Sequence, residues 1–383
     1  MTTVKSITGN KGEWSEFYTF CYLLNTGVLK TADKDLIPSD DMYLPIVRII
    51  RKDNNQELSY YPEKNSDNIG FKSGEMILDN FKKSEFKETL NIIYNKFQTA
   101  GGEGAFEIPE VTPFMNKIKC SKLKADPVHK EDIRIQVQDI NTGQSPIQGF
   151  SIKSYMGNDP TLLNAGKTTN FRFLINGCSD VLMEQINGIE TRTKIVDRMN
   201  KLIEVCELQY DSMSNKQFEK NLQMVDSLMP RIMAELLFIH YTEGIVKLSD
   251  AVVKLEMRDP LKMNNPGFYE YKVKSMLRSV ALGMIPSEPW KGREDANGGY
   301  IVVKDDGDVV CFFLYNRNEF EQYLFDCTKF ERGSTTRHDY MRIVKEGNEY
   351  YLNLNLQIRF IKPGVKPRNN KSALKQKTLV IDY

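Results

Sequence analysis

The sequence predicts an α/β protein with a mixed central sheet, flanking helices and a β-rich C-terminal region. Three observations predict it. Apolar residues recur at helical spacing in several segments, two alternating arms flank a turn at residues 131–153, and residues 298–361 are rich in strand patterns. The chain has 383 residues, 40% of them hydrophobic and 27% charged, which is ordinary for a folded protein with a sizeable core.

Composition excludes several classes of protein. Six cysteines lie far apart without CxxC spacing and only three histidines are present, which argues against a zinc site and favours free thiols in a reducing cytoplasm. No run reaches ~18 apolar residues, so no membrane span is expected. The N-terminus is polar, so no signal peptide is predicted. The net charge of +1 gives no sign of a nucleic-acid partner, and charge must be read locally.

The N-terminal elements follow from periodicity and turn residues. A helix is predicted over 9–27, because Trp14, Phe17, Cys21 and Leu24 recur at helical spacing and Asn-Thr-Gly ends the pattern. The remaining predictions for this part are a strand at 43–50, a loop-rich stretch at 51–75, a helix at 76–98 and a flexible joint at 99–106.

Later elements are predicted in the same way. The patterns predict helices at 190–211 and 214–242, the second kinked at Pro230, and a hairpin at 298–315 around Asp306-Gly307. Residues 351–360 alternate as one strand, with Asn353, Asn355, Gln357 and Arg359 facing outward. We expect residues 1–361 to form one unit, with 298–361 as its β-rich region, followed by a basic tail at 362–383. The tail is either a phosphate contact or a disordered arm.

The hairpin "DIRIQVQDINTGQSPIQGFSIKS" (132–154) carries the principal chemical signal. A two-residue turn at Thr142-Gly143 would place Asp132 opposite Lys153, on one polar face above an apolar underside. It would also place Arg134 opposite Ser151. A bulge near Pro146 would shift this register by one residue. Asp139 has the opposite parity and lies about 23 Å along the strand at ~3.3 Å per residue, so it is interpreted as a turn residue.

An aspartate and a lysine on one polar face suit metal-dependent hydrolysis of a phosphodiester. Mg²⁺ prefers carboxylate oxygens, and a lysine can orient the attacking water or offset charge in the transition state. Ser151 occupies the strand position that usually holds a second acid, and Ser151 and the Ile152 carbonyl would complete part of the shell. Glu13 or Glu16 on the first helix is expected to add the missing carboxylate. The alternatives are a surface ion pair worth ~0–1 kcal/mol and acids that merely favour the helix N-terminus.

The longer block "GFSIKSYMGNDPTLLNAGKTTNF" (149–171) resembles the signature of the HpaII-type restriction endonucleases. That family's block reads GFSIKS, a Gly, PTLLNAS and Thr-Asn-Phe, and this chain has Gly166-Lys167 where Ser-Lys is usual. "EDIRIQVQDINTG" resembles the family's Asp-bearing arm. "NKGEWSE" (10–16), "STTRHDY" (334–340) and "YYLNLNLQIRF" (350–360) are similar to blocks found in several restriction enzymes.

The resemblance implies a Type II DNA endonuclease with a PD-(D/E)XK-like core and Mg²⁺, in which the β-rich region 298–361 would help to grip DNA. Asp132 would bind the metal, Ser151 would fill the Asp/Glu slot, and Lys153 would be the catalytic lysine. The family also implies a CCGG-type site and a partner DNA methyltransferase. A palindromic site would suit a homodimer by symmetry. A DNA-binding protein without cleavage is the alternative that Ser151 favours, and a protein unrelated to DNA is the other.

Candidate DNA contacts lie in polar clusters, because arginine or lysine reads guanine while asparagine reads adenine. Each cluster is alternatively a polar surface loop, and His338 is alternatively a structural hydrogen-bonder. The stretch "KIKCSKLK" (117–124) is a candidate for phosphate contact. The base-contact candidates are Lys167, Thr168, Asn170 and Arg172; Asn316 and Arg317; and Arg337 and His338.

Overall fold

The structure, a computed structural model, describes residues 7–54, 56–63, 65–100, 104–124, 131–313 and 316–370. His129 and the part of the basic tail after residue 370 lie outside the described residues. The chain divides into two compact units. The first comprises Met1–Pro160, Ala281–Gly283 and Glu294–Phe320, and the second comprises Thr161–Val280, Met284–Arg293 and Glu321–Tyr383.

The strands of the described residues are given in chain order. They are β1 (Thr8–Gly9), β2 (Val28–Ala32), β3 (Pro38–Asp53), β4 (Gln56–Pro62), β5 (Asn68–Ser73), β6 (Met76–Lys82), β7 (Phe106–Glu107), β8 (Ile133–Val137), β9 (Ile147–Ser154), β10 (Thr161–Leu163), β11 (Asn170–Asn176), β12 (Glu207–Met213), β13 (Gly299–Val303), β14 (Val309–Phe313), β15 (Thr328–Phe330), β16 (Ile343–Glu346), β17 (Glu349–Asn355) and β18 (Ile358–Phe360).

The helices of the same residues include one short 3₁₀ turn at Lys167–Thr169. The α-helices are α1 (Lys11–Thr26), α2 (Lys83–Thr99), α3 (Thr112–Lys117), α4 (Asp180–Asn187), α5 (Lys194–Val205), α6 (Lys216–Val225), α7 (Met229–Glu243), α8 (Leu248–Arg258), α9 (Phe268–Ala281), α10 (Arg317–Asp326) and α11 (Thr335–His338). None of the helices in the described part of the chain has the length and apolar character needed to cross a bilayer.

The first unit is built on a mixed sheet in the order β2-β14-β13-β9-β8-β3-β4-β5-β6. Strands β9 and β13 run parallel, as do β2 and β14, while β8 and β9 form an antiparallel hairpin in the middle. The predicted hairpin of β13 and β14 around Asp306-Gly307 is confirmed. The prediction of a mixed α/β protein is therefore confirmed, and its sheet carries the hairpin that holds the candidate site.

Helix α1 packs its predicted apolar stripe into the core of this unit. Trp14, Phe17, Cys21 and Leu24 are all fully buried, and α1 contacts β9. The Asn10 side chain caps the first turn, and Gly27 ends the helix at φ 72°, a left-handed conformation that suits glycine. The helix predicted over 9–27 is thus confirmed and lies beside the hairpin.

Two predictions for the first unit are wrong. Residues 51–75 form β4 and β5 rather than loop, and the first part of the helix predicted at 76–98 is β6, so that α2 begins only at Lys83. The reason is an aromatic ladder across these strands, with Tyr60 and Phe71 at 5.4 Å between ring centroids and Phe71 and Phe81 also at 5.4 Å. Cross-strand aromatic packing overrides the weak helical pattern of the segment.

The second unit contains a four-stranded sheet in the order β12-β11-β17-β16 and a three-stranded sheet in the order β10-β18-β15. The predicted helix over 214–242 is two helices, and Pro230 lies in the first turn of α7 rather than at a kink. Proline fits that position because the first-turn N–H groups have no partner within the helix. The helix predicted at 190–211 ends at Val205, where β12 soon follows.

The strand predicted at 351–360 is divided between β17 and β18, which belong to different sheets. Asn355 and Gln357 are buried, at 2% and 9% exposure, so the expectation that both face solvent is wrong. Alternation identified the strands, but the Asn355 amide is buried beside the 3₁₀ turn, where it donates to the Gly166 carbonyl at 2.8 Å.

Candidate active site

The hairpin of β8 and β9 has a register two residues away from the predicted one. Ile133 pairs with Phe150 and Gln136 pairs with Ile147. The predicted opposition of Asp132 to Lys153 is therefore wrong, as is that of Arg134 to Ser151, because Arg134 pairs with Gly149. The turn is longer than the two residues assumed, since the Asp139 N–H donates to the Gln144 carbonyl at 2.9 Å.

Asp139 shapes this turn. Its Oδ1 accepts hydrogen bonds from the backbone N–H of Asn141 at 2.8 Å and of Thr142 at 3.2 Å. These bonds hold the pKa of the Asp139 carboxyl below its usual range. The interpretation of Asp139 as a turn residue is confirmed, and the turn accounts for the observed register.

The Asp132 carboxylate is fixed by one of its two oxygens. Asp132 directly precedes β8, and its backbone N–H donates to the Phe150 carbonyl at 2.9 Å. Its Oδ2 accepts from the Ser151 hydroxyl at 3.1 Å and from the Ile152 N–H at 2.7 Å. Both donors bind the same oxygen, so they orient the carboxylate while Oδ1 takes no part in either bond. Ser151, which lies where an acid was expected, acts here as a donor.

Glu16 is the acid that α1 brings to Asp132. It lies in the second turn of α1 with a side chain only 13% exposed, and its Oε1 is 3.0 Å from the Lys124 Nζ. Burial, and next the negative charge of Asp132, raise the pKa of Glu16 to about 7, while Lys124 and Lys153 oppose the shift. Coulombic interactions weaken with distance, and α1 packs against β9, the strand that carries Lys153. Glu16 therefore joins Asp132 and Lys153 at one site.

Glu13 has a structural role at the start of α1, and its predicted catalytic role stays a prediction. Its carboxylate accepts the Asn10 N–H at 2.8 Å, while the Glu13 N–H donates to the Asn10 side chain at 3.0 Å. This reciprocal pair is a capping box, so Glu13 stabilises the start of α1. The alternative reading of Glu13 as a helix N-terminal residue is confirmed.

The backbone N–H of Ile152 points toward the Asp132 carboxylate. In an antiparallel pair a residue directs its N–H and its C=O toward the same neighbour. Because the Ile152 N–H reaches Asp132 Oδ2, its carbonyl lies on that edge of β9, where β8 has not yet begun. The next residue, Lys153, is half-buried on β9 and acts electrostatically on Glu16.

Lys124 is the site residue that sequence reasoning did not assign. It lies at the end of the basic stretch 117–124, which the sequence predicts only as a contact to phosphates. Its partnership with Glu16 links residues more than a hundred positions apart in the chain, and no local pattern signals such a pairing.

A divalent cation fits the donors at this site. No three His, Cys, Asp or Glu side chains within the described ranges cluster closely enough to hold a metal by themselves. Mg²⁺ does not need such a cluster, because it usually takes one or two carboxylates and keeps several waters. Asp132, Glu16 and the Ile152 carbonyl supply a donor set of this kind.

In the second unit, Asn170 is a structural residue. It is 1% exposed, and its amide donates to the carbonyls of His338 at 2.8 Å and Asp339 at 3.0 Å. Its Oδ1 accepts from Asn355 Nδ2 at 2.7 Å. This burial contradicts the predicted DNA contact of Asn170, since the amide is bonded within the unit and does not reach the surface.

Arg172 is held by an ion pair. Its two terminal nitrogens bind the carboxylate of Glu346 at 3.0 and 2.8 Å, and its guanidinium lies 3.5 Å from the Tyr351 ring centroid. The predicted base contact by Arg172 would require this bidentate pair to break. The structure thus gives the residue a role in joining β11 to β16 and β17.

The other predicted readers lie in two places. Lys167 and Arg337 are exposed, while Thr168 and His338 are half-buried, and the Asn170 bonds bring the 3₁₀ turn close to the end of α11. Burial, with the charge of Arg337, lowers the pKa of His338. Asn316 is half-buried and Arg317 begins α10, both in the first unit.

Two comparisons with known proteins find similar sequences. A profile described as "HpaII restriction endonuclease" matches residues 10–360. The Type II restriction enzyme HpaII from Haemophilus parainfluenzae is 38% identical over 365 residues, a match that covers 92% of this chain and 99% of that protein. No solved structure matches the chain. Because the family match covers nearly the whole chain, the protein belongs to the HpaII restriction endonuclease family.

Proposed function

We propose that this restriction endonuclease cuts both strands of a CCGG-like DNA site in a Mg²⁺-dependent reaction on a PD-(D/E)XK-like core. The observation that carries the proposal is the meeting of Asp132, Glu16 and Lys153 at the open end of the hairpin. Two acids and a lysine beside one strand edge are the parts that metal-dependent hydrolysis of a phosphodiester requires. Residues 1–361 would act as one endonuclease unit.

Asp132 and Glu16 would hold the Mg²⁺ together with the Ile152 carbonyl. When bound, the ion polarises a phosphoryl oxygen and lowers the pKa of the attacking water. Ser151 does not replace the missing acid as a ligand in this proposal. Its hydroxyl and the Ile152 N–H bind Asp132 Oδ2, and Oδ1, which takes no part in these two bonds, would bind the metal. Glu16 supplies the second negative charge instead.

Lys153 would orient the attacking water or offset the charge that develops on the phosphate. It lies one residue beyond Ile152 on the same rigid strand, so its position relative to the carboxylates is set by the sheet. A preorganised cation in a half-buried site stabilises a developing negative charge more than it would in water. The electrostatic effect of Lys153 on Glu16 supports this placement.

DNA contacts would come from exposed residues rather than from the buried ones. Lys167, Thr168, Arg337 and His338 form one candidate reading surface, and arginine and lysine suit the guanines of a G·C-rich site. Asn316 and Arg317 in the first unit are candidates for the same role. A palindromic site would pair two copies of the chain, and a DNA methyltransferase would protect host DNA.

The test is a digest of a plasmid that carries one CCGG site. We expect a linear product with Mg²⁺ and no cutting with EDTA, and sequencing of the ends gives the recognised bases and the overhang. A plasmid in which that site is mutated is the matched control. Binding without cutting at any Mg²⁺ concentration would leave the alternative, a sequence-specific DNA-binding protein. Cutting at unrelated sequences would reject the CCGG assignment alone.

A further inference from the structure

Lys124 holds a position that sets it apart from other surface lysines of the described residues. Its Nζ lies 3.0 Å from Glu16 Oε1, on a side chain that is 53% exposed, whereas the Glu16 side chain is 13% exposed. Asp132 also acts electrostatically on Lys124, so the ammonium lies within range of both carboxylates. Lys124 thus pairs with one of the two side chains that would bind Mg²⁺ and interacts electrostatically with the other.

An ammonium and a divalent ion compete for the same carboxylate oxygens. A carboxylate oxygen that accepts a hydrogen bond from Lys124 has one electron pair fewer to offer a metal, and the fixed positive charge repels an approaching cation. Glu16 is buried and cannot move far with α1 packed in the core. The Lys124 side chain is 53% exposed, so its ammonium can turn away from Glu16 into solvent.

We propose that Lys124 stands in for the divalent cation in the metal-free protein. Its ammonium offsets the negative charge of Glu16 beside Asp132, and it weakens metal binding until it is displaced. The inference rests on the proposed function, since it assumes that Asp132 and Glu16 hold the metal. DNA would assist the displacement, because a phosphate offers the released ammonium another anionic partner.

A nearby pair provides the control. Lys117, at the end of α3, forms an ion pair with Glu85 in the first turn of α2, with a comparable exposure of 50% for the lysine. Lys117 belongs to the same basic stretch as Lys124, but Glu85 is not among the acids that surround Asp132. A change at Lys117 therefore removes the same type of charge from the same segment without altering the proposed metal site.

The experiment titrates Mn²⁺ into the full chain without DNA and measures the free ion by its electron paramagnetic resonance signal. K124M is expected to bind Mn²⁺ about tenfold more tightly than the wild type, because a repelling charge is gone. K124R, which keeps the charge, and K117M are expected to match the wild type. A merely structural anchor would give the opposite sign, since losing it would disorder Glu16 and weaken binding.

Two controls separate the possible failures. If D132A binds Mn²⁺ as tightly as the wild type, the metal site of the proposed function is rejected. If D132A loses binding but K124M binds no more tightly than the wild type, only the role of Lys124 is rejected. Thermal unfolding monitors the fold of each variant, and K124Q replaces K124M in the titration should K124M fail to fold.

Discussion

The hairpin end of the first unit and the sheet end at Asn170 in the second unit are both rich in polar residues, yet they use them in opposite ways. At the hairpin, Asp132 binds its two donors through one oxygen, and Glu16 lies close to a second acid. At Asn170, both amide atoms are bonded to neighbouring protein groups and the side chain is 1% exposed. Like charges gathered at one place cost stability, whereas satisfied hydrogen bonds provide it. Two carboxylates held close together therefore indicate a catalytic site better than a cluster of hydrogen-bonded polar residues does.

The largest expected effect is the loss of cutting in Asp132→Ala. Without this carboxylate the hairpin offers the metal no negatively charged ligand, and we expect cleavage to fall by at least about 10³-fold. Lys153→Ala should lower it by about 10²–10³-fold, the range for loss of one preorganised charge-stabilising group. Single-turnover cleavage with saturating enzyme measures both.

DNA binding provides the control for these two variants. Gel shifts in Ca²⁺ are expected to give dissociation constants within about threefold of the wild type, because neither residue belongs to the proposed reading surface. A variant that cuts at the wild-type rate would refute its assigned role. A variant that loses DNA binding as well would show that the hairpin end positions the DNA.

The next effect concerns Glu16, whose pKa of about 7 makes the site sensitive to pH. At subsaturating Mg²⁺ the cleavage rate should rise with pH through about 7, because the protonated carboxyl is a poor metal ligand. Glu16→Gln should lower the rate by about 10²-fold at high pH and abolish this rise. Glu13→Gln is the matched control, and it should keep the wild-type pH profile with a small loss of helix stability.

The raised pKa of Glu16 also predicts that the free energy of unfolding depends on pH. The folded state binds the Glu16 proton more tightly than the unfolded chain does. The stability that this group contributes is therefore fully present below pH about 4.5 and is lost as the pH rises through about 7. The free energy of unfolding of the wild type should therefore fall relative to Glu16→Gln over that window. Urea unfolding at pH 5 and pH 8 measures the difference, and equal differences at both values would contradict the buried acid.

In the second unit, we expect the largest effect on stability rather than on cleavage. Asn170→Ala should cost about 2–3 kcal/mol of unfolding free energy, because two carbonyls lose a donor and Asn355 loses an acceptor. Arg337→Ala, at an exposed position, should leave stability within about 0.5 kcal/mol while weakening DNA binding. Urea unfolding and gel shifts separate the two. A stable Asn170→Ala that binds DNA poorly would return this residue to the reading surface.

The sequence predicted the parts of this protein that depend on local patterns. The α1 helix and the hairpin of β13 and β14 follow from periodicity and turn residues, and the alternation of β8 and β9 identified the strands of the site. The register was missed because it depends on how Asp139 closes its turn. A two-residue turn and a longer one are equally compatible with Asn-Thr-Gly, and only the backbone bonds of Asp139 distinguish them.

The choice between Glu13 and Glu16 shows a second limit. Both acids lie on one helix, and their spacing fits a capping box as well as a ligand. The capping signature, asparagine followed three residues later by glutamate, was present in the sequence and would have assigned Glu13. The buried place of Glu16 depends on how α1 packs against β9, which is a tertiary contact that no local pattern contains.

The smallest expected effect belongs to Asp139→Asn, and it tests the register directly. The asparagine Oδ1 can still accept the N–H groups of Asn141 and Thr142, so the turn should persist with little change in stability. Cleavage should remain at the wild-type rate, because Asp139 lies at the far end of β8 from Asp132. Asp139→Ala removes the acceptor and should lower the free energy of unfolding more than Asp139→Asn does, without a catalytic defect. Urea unfolding and single-turnover cleavage measure both variants, and an inactive, stably folded Asp139→Asn protein would place this acid, rather than Asp132, beside Lys153.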